Sequence, residues 1–167
     1  ISAESCSPII RNCEIRNNHG RGIVIHGGAN MNIIRKCSSL ENKGARVISE
    51  LQDGDGLVIT DDTEEGTEYN YVLDSEFKNC NNFDTDGIVL MNGADYNKIE
   101  NCVINNIGGS SESDWSKGIE IVTTKECTKG PSNNVIKNCH ISDVSGKYIS
   151  GIGIWNDPFN NGQNSPN

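Results

Sequence analysis

No run of apolar residues in this chain approaches the length of a membrane span, and no signal peptide is visible. Positive charge is scarce: 14 Lys and Arg stand against 23 Asp and Glu, a formal net charge of −9. A nucleic-acid partner needs a basic face, so that class is not expected. The seven cysteines include no Cys-x-x-Cys pair, and His19, His26 and His140 fall at unrelated places in the pattern below, which argues against zinc. Neither end carries an amphipathic helix to cap a repeat array. Disorder is not indicated either, because 34% hydrophobic residues and 18 glycines bring the chain near the globular norm. Its 167 residues suffice for one domain.

What is present is a repeat. Five segments align on one small residue, Cys13, Cys37, Ser75, Cys102 and Cys139. Three positions earlier stands an aliphatic residue: Ile10, Ile34, Val72, Ile99, Ile136. Two positions later stand Ile15, Phe77, Ile104 and Ile141, while the second copy slips, with Ser39 in that place and Leu40 next. Five positions before the anchor the column reads Pro8, Asn32, Asn70, Asn97, Asn134. Each copy is followed by a glycine-led strand pattern, beginning at Gly22, Gly56, Gly87, Gly118 and Gly151.

These runs are too short for helices and alternate with period two, so they read as short strands separated by Asn-, Gly- and Asp-rich bends. One unit cannot bury its own apolar face; stacked units can. Asn suits the bend before the anchor because it tolerates left-handed backbone and can hydrogen-bond the next turn. The anchor cysteines then form an internal stack of small apolar side chains, expected as free thiols rather than disulfides.

The pattern resembles the parallel β-helix repeats of the pectate lyase-like superfamily from roughly residue 7 to 157. That resemblance implies an all-β, right-handed, single-stranded parallel β-helix of about five coils, with the domain at 1–159 and a polar tail at 160–167. The repeat begins almost at once, which leaves room for a leader or further coils outside this chain.

Loop lengths point to a site. From anchor to glycine the offsets run 9, 19, 12, 16 and 12, so long insertions in coils two and four are expected to wall a recess over coil three. The column before the glycine reads Arg21, Asp55, Asp86, Lys117, Ser150, and two residues earlier it reads His19, Asp53, Asp84, Trp115, Tyr148. Two Asp-x-Asp-Gly units bring Asp53, Asp55, Asp84 and Asp86 within about two interstrand spacings. Such crowding suits calcium, or a carboxyl of raised pKa acting as an acid. Asp before Gly is also ordinary turn chemistry. Asp86, Asp55 and Lys117 are the catalytic candidates, and Arg21, His19, Trp115 and Tyr148 the substrate-binding ones.

Asp84-Thr85-Asp86-Gly87 resembles a polygalacturonase segment in which the Asp before Gly is catalytic, which implies that role for Asp86 alone. That family's second Asp is replaced by Lys117 in Ser116-Lys117-Gly118, and its Gly-His-Gly and Arg-Ile-Lys motifs are absent. The Asp-Pro-His signature of alginate epimerases is also missing, since Phe159 follows Pro158. The outward middle residues of the glycine-led strands, Val24, Val58 and Val89, form an apolar row. Either long loops bury it or another chain covers it. Two functions stay open: an extracellular or cell-surface β-helix acting on or binding polysaccharide, an acidic glycan among the candidates, or a non-catalytic module assembling through its flat face or its ends.

Overall fold

The computed structural model describes residues 2–4, 7–47, 50–61, 66–81, 84–108, 115–124 and 127–156; the tail expected at 160–167 lies outside them. Every regular element among the described residues is a strand. After β1 (Ser2–Glu4), coil one is β2 (Ile9–Arg11), β3 (Glu14–Arg16) and β4 (Ile23–His26). Coil two is β5 (Ile33–Arg35), β6 (Ser38–Leu40), the hairpin β7 (Ala45–Val47) with β8 (Glu50–Gln52), and β9 (Leu57–Asp61). Coil three is β10 (Tyr71–Leu73), β11 (Glu76–Lys78) and β12 (Ile88–Asn92). Coil four is β13 (Lys98–Glu100), β14 (Val103–Gly108) and β15 (Trp115–Thr123), and coil five β16 (Val135–Lys137), β17 (His140–Ser145) and β18 (Tyr148–Asn156).

Each position in the coil builds its own parallel sheet. The first orders β2-β5-β10-β13-β16, the second β3-β6-β11-β14-β17, and the third β1-β4-β9-β12-β15-β18. Register follows the sequence columns: Ile10, Ile34, Val72, Ile99 and Ile136 pair in succession. Ser39 keeps register with Ile15 and Phe77, so the second copy does not slip. The apolar cost of an inward serine is offset by hydrogen bonds: its Oγ donates to the Gly56 carbonyl at 2.8 Å and accepts from Asn42 Nδ2 at 2.8 Å. Leu40 is left half-buried on the outer side.

The bend before the anchor is left-handed in all five coils, at Asn12, Lys36, Asp74, Asn101 and Asn138, with φ between 51° and 56°. A side chain there costs backbone strain that Asn and Asp relieve best, which accounts for three Asn and one Asp among the five. The anchor thiols Cys13, Cys37, Cys102 and Cys139 are free, as is Cys80. Cys37 Sγ reaches the Ile10 carbonyl of the previous coil at 3.6 Å, and Cys102 Sγ reaches that of Val72 at 3.6 Å. Cys6 lies outside the described residues.

At the other bend, which leads into the first sheet just after Met31, Tyr69, Tyr96 and Asn133, runs a ladder of amides, buried at Asn32, Asn70 and Asn97. The N–H of Asn32 donates to Asn70 Oδ1 at 2.9 Å, that of Asn70 to Asn97 Oδ1 at 2.9 Å, and that of Asn97 to Asn134 Oδ1 at 2.8 Å. Each Oδ1 thus needs an N–H from the preceding coil. Coil one offers Pro8, which has none, and Asn32 Oδ1 is buried without a partner. Pro8→Asn supplies the missing donor and is expected to raise stability by about 1 kcal/mol, read as a higher urea midpoint at unchanged slope; a lower midpoint would refute this ladder.

The glycines leading the third sheet are a steric requirement. A Cβ on Gly56 would lie 2.5 Å from the Gly87 carbonyl, and one on Gly87 would lie 2.5 Å from the Gly118 carbonyl and 2.4 Å from Ile104 Cγ2. On Gly151 it would meet nothing within 4 Å. Gly87→Ala should therefore cost about 3 kcal/mol or more through backbone displacement in a close-packed stack. Gly151→Ala should be nearly neutral. Equal thermal shifts in the two variants would contradict the close-approach account.

Candidate functional site

Backbone bonds hold the residue just before each glycine in the stack: the N–H groups of Gly22, Gly56 and Gly87 donate to the carbonyls of Asp55, Asp86 and Lys117. Asp55 Oδ1 accepts the N–H of Asp86 at 2.9 Å, and Asp86 Oδ1 accepts the N–H of Lys117 at 2.5 Å. The two aspartates are rungs between coils as well as turn formers. Arg21 closes one end of this row, its Nη2 2.9 Å from Asp53 Oδ2 and its Nε 3.3 Å from Asp55 Oδ2. At the other end Lys117 Nζ lies 2.6 Å from Glu120 Oε1 and 3.9 Å from Asp86 Oδ2.

Asp55 and Asp86 are 3% and 2% exposed, Lys117 and Glu120 6% and 7%. Three buried acids therefore face one buried cation, with Arg21 divided between Asp55 and Asp53. Full ionisation of such a row is costly. Burial, reinforced by Asp53 and opposed by Arg21, pushes the Asp55 carboxyl up to about 8. Burial and then Glu120 hold Asp86 well above the usual carboxylate range. Burial also raises Asp53, against the pull of Arg21. For Lys117 burial acts downward, but the carboxylates of Asp86 and Glu120 outweigh it and raise its pKa. The row thus favours a proton on Asp55 at neutral pH and a charged lysine beside Glu120.

Aromatic rings flank the lysine. Trp115 on β15 stacks on Tyr148 on β18 at 4.3 Å between centroids, and parallel to Trp155 at 5.7 Å. Lys117 Nζ lies 5.0 Å from the Trp155 centroid and 5.7 Å from that of Trp115, within cation–π range. Trp155 Nε1 donates to Glu120 Oε1 at 2.7 Å. Gly153 makes room for this arrangement, since a Cβ there would come 3.1 Å from Lys117 Cγ. Glu120 and Trp155 are the members that the column reading missed as site residues, although both occupy outward positions of the alternating pattern.

Of the expected site residues, Arg21, Asp53, Asp55, Asp86 and Lys117 meet in one row, and Trp115 and Tyr148 stack beside it. Asp84 and His19 are exposed in the outer column. Among the described residues no three His, Cys, Asp or Glu side chains converge on a position fit for a metal ion. The four aspartates of the calcium expectation lie along the stack, and both oxygens of Asp55 are taken by Asp86 N–H and Arg21. The recess is partly filled: Val58 and Val89 are buried, clustered with Val122, Met91 and Trp155. The flat valine face expected as a self-association surface is therefore covered at two of its three positions. Its expected walls lie only partly within the described residues, as the hairpin β7–β8 in coil two; 62–65, 109–114 and 125–126 are outside them.

Stacked parallel sheets joined by left-handed bends, with aliphatic columns facing one core, find their counterpart in a known family: the right handed beta helix region matches residues 1–129. The chain belongs to the right-handed β-helix family. The helix continues past that match, because β16, β17 and β18 pair in register on coil four. No curated protein matches the chain, and no solved structure does.

The raised Asp55 pKa fixes a sign for pH dependence. Its folded value of about 8 lies above the unfolded carboxylate value of roughly 3.9. The folded state therefore binds the extra proton between those limits, and stability falls as pH rises through that window, by up to ~1.4 kcal/mol per unit for one group. Urea unfolding at pH 5, 6.5 and 8 should show this decline in the parent and a flatter profile in Asp55→Asn. A parent profile that is flat or rising would mean that Asp55 is ionised.

Proposed function

We propose that this right-handed β-helix binds polysaccharide outside the cell or at its surface, with the Trp115–Tyr148 stack as the sugar platform. The carrying observation is that stack itself: two rings in register on adjacent strands, with Tyr148 40% exposed, beside a charged lysine and a carboxylate. The C–H face of a pyranose is apolar and packs on an aromatic face, while nearby polar groups orient its hydroxyls.

Binding is favoured over cleavage by the state of the acids. A general acid must reach the glycosidic oxygen within hydrogen-bond distance. Asp55 has both oxygens engaged, and Asp86, the position matching the polygalacturonase segment, is 2% exposed with Oδ1 on the Lys117 N–H. The row reads as support: the Lys117–Glu120 pair holds Trp155 and hence the platform.

Calorimetry with xylan, β-glucan and polygalacturonate oligosaccharides tests this reading. At least one is expected to bind, with Trp115→Ala and Tyr148→Ala weakening it about tenfold, roughly the worth of one aromatic contact. No reducing ends should be released, and added calcium should leave the affinity unchanged. A parent that binds none of the three, or binds equally well without either ring, removes the platform; release of reducing ends that Asp86→Asn abolishes would restore the enzymatic reading.

A further inference from the structure

The outer face of the first sheet has no role in the glycan platform, which lies on the third. Along its leading bend Tyr69 and Tyr96 stand in left-handed backbone, at φ 57° and 53°, where Asn133 occupies the same column. Bulky residues rarely accept that conformation, and here they do so while 42% and 46% exposed, rings stacked at 5.2 Å. Met31 joins them in the bend at 62% exposure, and Ile9, Tyr71 and Val135 point outward from the strands at 66%, 39% and 49%. Most of the large exposed apolar side chains among the described residues gather on this one face. The others, Tyr148, Ile149, Ile152 and Ile154, lie on β18.

Charge on this face runs against that of the chain. Its outward and bend positions hold Arg11, Arg35, Lys36, Lys98 and Lys137 against only Asp74 and Glu100, in a protein of net −9. Arg11 and Arg35 are register partners on adjacent strands, a like-charge pairing that disfavours the sheet by itself. Tyrosine, methionine and arginine together with the exposed Ile9 and Val135 at its two edges make the composition of a protein contact surface.

We propose that this face docks a second copy of the chain, cationic tyrosine face against the acidic remainder of its neighbour. Charge complementarity selects that occupant, since removing this face from the balance leaves the rest of the molecule more negative than the whole. The contact is heterologous, so it propagates into rings or open filaments rather than closing as a two-fold dimer. Five strands at about 4.8 Å and five residues at about 3.3 Å give a patch of roughly 24 by 16 Å. That is about half the area per partner of a standard interface, so the association is weak and salt-sensitive.

Sedimentation velocity on the whole chain tests it. The weight-average sedimentation coefficient should rise with concentration at low ionic strength and return to the monomer value in about 0.5 M salt, where charges are screened within a few ångströms. Tyr69→Asn with Tyr96→Asn should abolish the rise while keeping or raising the melting temperature, because Asn suits left-handed backbone better. Arg11→Glu with Arg35→Glu should abolish it too, whereas Ile152→Ser with Ile154→Ser on β18 should leave it intact. A parent that stays monomeric at low salt overturns the proposal. So does association that survives both first-sheet variants, or that disappears with the β18 variant alone. None of these outcomes bears on glycan binding, which Trp115→Ala reads separately.

Discussion

Everything in this protein follows from each side chain meeting its counterpart one coil away, at the interstrand spacing of about 4.8 Å. In a globular core a residue must fit many different neighbours; here it must chiefly fit its own column. Isoleucine on isoleucine works, and such columns fill the core. Glycine on glycine is forced where a carbonyl of the next coil lies 2.5 Å from where a Cβ would stand. Asparagine on asparagine works because an amide both donates and accepts, so each rung satisfies its neighbour. Proline breaks that chain for want of one hydrogen, and the unmatched Asn32 oxygen marks the place.

A column rule makes the backbone legible from sequence and leaves the outside obscure. Parallel register, left-handed bends and stacked free thiols all follow from matching residues at equal offsets, and all appear in the structure. Ser39 was misjudged because apolarity alone makes Leu40 look like the column member. The hydrogen bonds from Asn42 and to the Gly56 carbonyl that keep Ser39 inward come from the bend after β6 and from the residue that leads into β9. Likewise the valine row is outward by parity, yet Val58 and Val89 are buried. The alternation of a strand says which side a residue faces and nothing about what lies over it.

The candidate site was half legible for the same reason. Columns brought Asp55, Asp86 and Lys117 into one row, and the structure puts them there. What they could not give is the direction in which each carboxylate turns. Asp55 and Asp86 each turn one oxygen along the stack to accept a backbone N–H of the next coil. Glu120 and Trp155 meet across two adjacent strands two register positions apart, a diagonal contact that no single column records.

Like charges in one column are the expensive case, and the molecule treats two of them differently. Where Asp55 lies under Asp86 water is excluded, and that burial, with Asp53 alongside, raises the Asp55 pKa. Where Arg11 lies beside Arg35 the side chains are exposed, so a nearby carboxylate relieves the pair. Asp74 supplies one for Arg35 at 3.0 Å, and its own pKa is held low by the Asn101 amide and by Arg35. The buried column thus meets its conflict internally, through a carboxyl whose pKa is raised. The exposed column resolves it through whatever carboxylates come within reach, and that makes the first sheet the face whose energy depends on its surroundings.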